Sequence, residues 1–182
     1  TAWPDFDPNL KQTDIKALSN PLIENVYEMG SIVKALTMAS GLDAGAVTEK
    51  TTYDDKGCIT LNKKEICNYD GKARGVIPMQ EILNQSLNLG ATFVEQQLGP
   101  ERFRNYFNTF GLGAKTGIDL PSEGVGLIKN LKSPQPVDLA NISFGQGIAI
   151  TPIAMTRALA VLGNGGYLIQ PHLVNRIDYH NK

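Results

Sequence analysis

Tyr27-Glu28-Met29-Gly30-Ser31-Ile32-Val33-Lys34 is the stretch on which the reading of this chain turns. Ser31 and Lys34 stand three apart at the start of an apolar run, Ile32, Val33, Ala35, Leu36, Met38 and Ala39, that continues to Gly41. A helix from about Ser31 to Ser40, stopped at Gly41 and buried on every side, is the expectation. On such a helix the two side chains share one face, one turn apart, which is the spacing of a nucleophile and the base that activates it. Lys34 is the only charge in that apolar turn. Desolvation disfavours an ammonium, so its pKa is expected to fall toward a value at which a neutral amine can take the Ser31 proton. The helix N-terminus places backbone N–H groups and partial positive charge near Ser31, where an oxyanion would form during acyl transfer. Taken alone, the same pair also reads as a capping Ser and a snorkelling Lys.

Outward from this helix the chain alternates helical and strand-like segments without a boundary, which suggests one α+β domain over residues 1–182. A helix is expected from Pro78 to about Gln85, then a break at Ser86-Leu87-Asn88. A third helix is expected over about Gly90–Leu98, and a fourth from Pro100 to Gly111 that packs Phe103, Tyr106, Phe107 and Phe110 into the core. Residues 111–131 are Gly-rich and irregular, and Thr151-Pro152 reads as the cap and first turn of a helix ending near Gly163. Leu173–Ile177 could begin a strand.

With 17 Lys and Arg against 18 Asp and Glu, the 182 residues carry a net charge of −1 and no basic run, which argues against nucleic acid as a partner. No apolar stretch is long enough to span a bilayer, and the opening Thr1-Ala2-Trp3 makes the chain read as a piece of something longer. Cys58 and Cys67 flank two short strand-like runs around Asn62-Lys63. A hairpin folded there sets the cysteines opposite each other, either as a cross-strand disulfide suited to an oxidising compartment or as two half-buried thiols. His172 and His180 have no acidic or Cys cluster around them and read as solvated.

The opening octapeptide resembles the Tyr-Glu-Pro-Gly-Ser-Thr-Phe-Lys segment of class B penicillin-binding proteins, the serine D,D-transpeptidases of bacterial cell-wall synthesis. Pro4–Asn9 and Leu18-Ser19-Asn20 lie upstream as in that family. Downstream in order follow Gln85–Gly90, Phe110-Gly111-Leu112-Gly113, Thr116-Gly117-Ile118-Asp119-Leu120-Pro121, Ser143-Phe144-Gly145-Gln146-Gly147-Ile148, Thr151-Pro152 and Asn164-Gly165-Gly166. Met29 in place of Pro, Ile32-Val33 in place of Thr-Phe, and Ser122 in place of Gly remove no reacting atom.

The resemblance implies an α+β penicillin-binding-protein/β-lactamase-like fold, an antiparallel sheet with helices on both faces, lacking its C-terminal strands. It implies Ser31 as the acylated nucleophile, Lys34 as its base, Ser86 as a proton relay to the leaving amine, and Asn88 as the group that holds Lys34 and the substrate amide. Lys115-Thr116-Gly117 spells the third motif of this enzyme class, yet Ile118-Asp119-Leu120-Pro121 follows it, so it reads as the Thr-Gly-Ile-x-Leu-Pro loop. By the family's order the catalytic copy would come after Lys182.

The implied partners are peptidoglycan stem peptides ending in D-Ala-D-Ala, β-lactam antibiotics, and other cell-wall synthesis or division proteins. No metal or organic cofactor is implied. The implied location is the extracytoplasmic face of the bacterial cytoplasmic membrane, with an anchoring helix elsewhere in the parent protein. Two other readings share parts of the pattern: a β-lactamase or β-lactam sensor, and a non-catalytic envelope scaffold.

Overall fold

In a computed structural model, residues 18–179 are described together with Asp7 and residues 9–11. The upstream Pro4–Asn9 stretch lies largely outside the described residues, and His180 wholly so. The element order is α1 (Pro21–Glu24), a 3₁₀ turn (Gly30–Ile32), α2 (Val33–Asp43), β1 (Thr52–Asp55), β2 (Cys58–Leu61), β3 (Lys64–Cys67) and β4 (Gly75–Pro78). Then come α3 (Met79–Asn84), α4 (Asn88–Leu98), α5 (Pro100–Thr109), a second 3₁₀ turn (Lys129–Lys132), α6 (Pro136–Ser143) and α7 (Pro152–Ala160). The class is α+β, as expected, and every strand pairing is antiparallel: β1 with β4 and β2 with β3, each a two-stranded sheet.

The core is helical, and α4 is its centre, packed against α2, α5 and α6. Leu36, Leu87, Val94, Leu98, Phe103, Phe107, Leu139 and Ile142 are buried there. The Phe103 and Phe107 rings lie 4.3 Å apart in a tilted pair, and Phe110 is also buried, as the three-and-four spacing of these aromatics predicts. Thr151 caps α7 by accepting from the Ala154 N–H at 3.3 Å, and Pro152 fills its first turn.

The structure departs from the sequence reading in several places. The first helix does not stop at Gly41 but runs to Asp43, because Gly41 lies where α2 crosses Val94 of α4 and a Cβ would overlap that side chain. Its burial is also incomplete: Ile32, in the 3₁₀ turn ahead of it, and Leu42 are both about half exposed, Ile32 at 48% and Leu42 at 45%. Helix α6 falls in residues for which the sequence set no expectation; Pro136 opens it, and Val137, Leu139, Ala140 and Ile142 bury its inner face. No strand forms over Leu173–Ile177. That segment is exposed, and its Leu173 and Val174 N–H groups donate to the Asp119 carboxylate at 2.7 and 2.8 Å in place of a neighbouring strand.

The cysteine hairpin forms as drawn from the sequence. Asn62 and Lys63 both take positive φ, 50° and 63°, the pairing of a two-residue primed turn, and Cys58 stands opposite Cys67. The two are joined as a disulfide. Among the described residues, no helix is long and apolar enough to cross a membrane.

Candidate active site

Ser31 lies in the 3₁₀ turn that leads into α2, and Lys34 one turn later on the same face. The Lys34 side chain is buried, with a residue exposure of 3%. Its ammonium donates to Ser31 Oγ at 3.0 Å, to Ser86 Oγ at 2.9 Å and to the Ser86 carbonyl at 2.7 Å. Those three bonds use all three ammonium protons. Burial lowers the Lys34 pKa from 10.5 to about 8, because a desolvated ammonium is disfavoured. Lys34 is therefore partly neutral near physiological pH and within hydrogen-bond reach of two hydroxyls.

Ser86 reaches Lys34 because the chain breaks between α3 and α4. Leu83 and Ile82 carbonyls accept from the Ser86 and Leu87 N–H groups, ending α3, and Ser86 turns the chain at φ +53°, a left-handed conformation uncommon for a residue with a Cβ. Arg74 holds the preceding residue by donating from Nε to Gln85 Oε1 at 2.6 Å. Asn88, the first residue of α4, does not bond Lys34: its side-chain N–H donates to the Cys67 carbonyl at 2.9 Å, tying the break to the cysteine hairpin.

A second segment closes on the Ser31 turn from the other side. The Gly30 N–H donates to the Gly145 carbonyl at 3.1 Å, Tyr27 and Ile150 exchange a bridge at 3.0 and 2.9 Å, and Glu28 accepts from the Gly147 N–H at 2.8 Å. Thr37 on α2 donates to the Ser143 carbonyl at 2.7 Å. Gly145, at φ +86°, sits against the Gly30 backbone so closely that a Cβ would overlap the Gly30 carbonyl. The contribution of this Ser143–Ile150 segment to the Ser31 turn was missed from sequence. The signals were the match of Ser143–Ile148 to the family and Gly145 and Gly147 bracketing Gln146, which mark an unusual backbone without naming what it meets.

Lys115 is exposed on the 111–131 loop. The loop is anchored by Glu123, which accepts from the Thr116 and Gly117 N–H groups at 2.6 and 3.1 Å, and by Arg157, which donates to the Thr116 carbonyl at 3.0 Å. Burial acts to raise the Glu123 pKa, but the hydrogen bonds it accepts from the Thr116 hydroxyl and from the Thr116 and Gly117 N–H groups outweigh it and hold it below the ordinary value. Thr116-Gly117 is thus part of a buttressed surface loop. His172 is exposed. The sulfurs of Cys58 and Cys67 are committed to each other, so their proximity to Glu65 supplies no thiolate pair for a metal.

The family model described as the penicillin binding protein transpeptidase domain matches residues 2–182. The chain is 33% identical over 173 residues to stage V sporulation protein D of Bacillus subtilis, covering 93% of this chain and 27% of that protein. It is 31% identical over 192 residues to the peptidoglycan D,D-transpeptidase FtsI homolog of Mesostigma viride, covering 98% of this chain and 32% of that one. Among solved structures it resembles penicillin binding protein 3 of Mycobacterium tuberculosis, complexed with aztreonam, with a TM-score of 0.78 and 27% identity over 85% of this chain and 35% of that one. The chain thus spans about a quarter to a third of the length of the curated relatives it matches.

Proposed function

This chain belongs to the penicillin-binding-protein transpeptidase family, and from that membership we propose that it carries the nucleophile-bearing part of a peptidoglycan D,D-transpeptidase. The observation that carries the reading is the position of the buried Lys34 amine between Ser31 Oγ and Ser86 Oγ, at 3.0 and 2.9 Å. In its neutral form Lys34 takes the Ser31 hydroxyl proton as Oγ attacks the carbonyl carbon of a terminal D-Ala-D-Ala bond. The tetrahedral oxyanion is stabilised by N–H groups at the start of the Ser31 helix. The carbon–nitrogen bond then breaks, and the departing D-alanine amine receives the proton from Lys34 by way of Ser86. An amine of a neighbouring stem peptide attacks the acyl-enzyme and gives its proton to Lys34, and Lys34 passes a proton to Ser31 Oγ as the ester carbon–oxygen bond breaks, leaving the cross-link formed and Ser31 and Lys34 in their starting states. Asn88 faces the substrate amide in this scheme.

A β-lactam would enter the same first half-reaction and remain on Ser31, because its ring-opened amine stays tethered and blocks the second. The Cys58–Cys67 disulfide favours an oxidising, extracytoplasmic location, and partners would be other cell-wall synthesis or division proteins. Intact mass after incubation with excess benzylpenicillin tests the reading. The expected result is one stable adduct that is lost in Ser31→Ala; an adduct that persists in Ser31→Ala, or none on the folded chain, overturns it.

A further inference from the structure

Helix α4 begins at Asn88, and the residue at its N-cap position is Leu87, whose apolar, fully buried side chain has no oxygen to offer the first-turn N–H groups. The missing cap comes from another element. The Leu89 N–H donates at 3.2 Å to the side-chain carbonyl of Asn68, the residue directly after β3. Asn68 is itself buried, and its side-chain N–H₂ donates to both carboxylate oxygens of Asp55, at 2.8 and 2.9 Å.

Asp55 is completely buried at the end of β1 and also accepts from the Gly57 N–H at 2.9 Å, with the Arg74 guanidinium 3.8 Å away. With both Asp55 oxygens accepting from the Asn68 amide nitrogen, and the Asn68 oxygen accepting from the Leu89 N–H, the amide is held nitrogen toward Asp55, oxygen toward Leu89. The neighbouring residue completes the grip, since the Cys67 carbonyl accepts from Asn88.

We propose that Asn68, oriented by Asp55, is a positioning residue for the Ser86–Asn88 break, and that it acts on Lys34 by fixing where Ser86 presents its two oxygens. The proposal rests on the reading of Ser31, Lys34 and Ser86 given above, and it adds a support that neither residue's local sequence declares. Ser86 holds a left-handed backbone at φ +53°, a conformation that persists only when its surroundings over-determine it. The N-terminal side of the break is held by Arg74 through Gln85, and the C-terminal side by Cys67 and Asn68 through Asn88 and Leu89. Releasing the Asn68 clamp frees the first turn of α4 to fray. Ser86 then drifts from the lysine, although no atom of Ser31, Lys34 or Ser86 has been changed.

The test is Asn68→Ala, with Asp55→Asn as a milder companion that keeps side-chain volume but allows the Asn68 amide to flip. Two readouts are taken: the rate of benzylpenicillin acylation, and the titration midpoint of Lys34 followed by NMR of ¹³C-labelled lysine side chains. The second does not require acylation, so absence of an adduct on the unsubstituted chain counts against the proposed function alone. Expected for Asn68→Ala are acylation slowed about tenfold or more and a Lys34 midpoint displaced downward, as the ammonium loses acceptors on Ser86. Asp55→Asn should move both in the same direction by less. A Lys34 midpoint and acylation rate unchanged in both variants, with faster hydrogen exchange at the Leu89 amide, would reduce Asn68 to a helix cap and overturn the proposal. If Asn68→Ala does not fold, Asp55→Asn decides by the same readouts.

Discussion

The Ser31 turn and the Ser86–Asn88 break meet at one lysine, but the chain holds them in place by opposite means. The Ser31 turn is clasped mainly by backbone, Gly30 against Gly145 and Tyr27 against Ile150, with the Glu28 side chain accepting from the Gly147 N–H beside them. The break is held by side chains from remote positions, Lys34, Arg74, and Asn68 with its buried Asp55. Backbone clasping works through close approach, so it depends on the absence of a Cβ and fails abruptly. A side-chain scaffold loses one bond at a time and fails by degrees, which suits a segment whose Ser86 must keep a strained conformation.

The largest effect follows from breaking the first clasp. Gly145→Ala would set a methyl group into the Gly30 carbonyl at a backbone φ of +86°, costing about 3 kcal/mol or more and displacing Ser31. Denaturant unfolding should show that loss. In any folded fraction, acylation should fall by about a hundredfold. Stability and acylation within a factor of two of the parent would mean that the two glycines are not in contact as described.

A smaller and differently shaped effect is expected from the second region. Replacing both Cys58 and Cys67 by Ser removes a bridge between residues nine apart, worth about 2–3 kcal/mol by the entropy of a loop that short. Asn68 and the Cys67 carbonyl remain in the hairpin, so acylation should stay within about tenfold while the unfolding midpoint drops. Loss of acylation without loss of stability would show that the disulfide, and not the Asn68–Asp55 pair, fixes the break.

How far these two regions could be read from the sequence follows the same division. The Ser31–Lys34 pair was legible from its three-residue spacing in an apolar run, and the Asn62-Lys63 hairpin because its turn residues dictate its register. Ser86 and Asn88 came only from the family resemblance; Lys34 does reach Ser86, whereas Asn88 turns to the Cys67 carbonyl. The α+β class and the Phe103–Phe107 packing followed from periodicity. Asn68 and Asp55 were not legible: a cap supplied across β3 and the head of α4 leaves no local signature, and it explains why α4 starts at Asn88 and not near Gly90. Gly41 misled because a glycine demanded by a close helix crossing looks the same in sequence as one that ends a helix. Gly145 was legible as a glycine, while its partner Gly30 lies more than a hundred residues away in the chain.

The central claim is that the buried Lys34 amine, in its neutral form, activates Ser31. Burial has lowered its pKa from 10.5 to about 8, so the neutral fraction grows as pH rises through 8. The same shift makes the folded state bind fewer protons than the unfolded one, so this group adds stability as pH rises from about 8 toward 10.5. The deciding measurement is the rate of Ser31 acylation by benzylpenicillin between about pH 6 and 9.5. It should rise nearly tenfold per pH unit at the acid end and level off above a single midpoint near 8. A rate independent of pH, or one still climbing steeply at the alkaline limit toward an ordinary lysine midpoint, would contradict the assignment of Lys34 as the base.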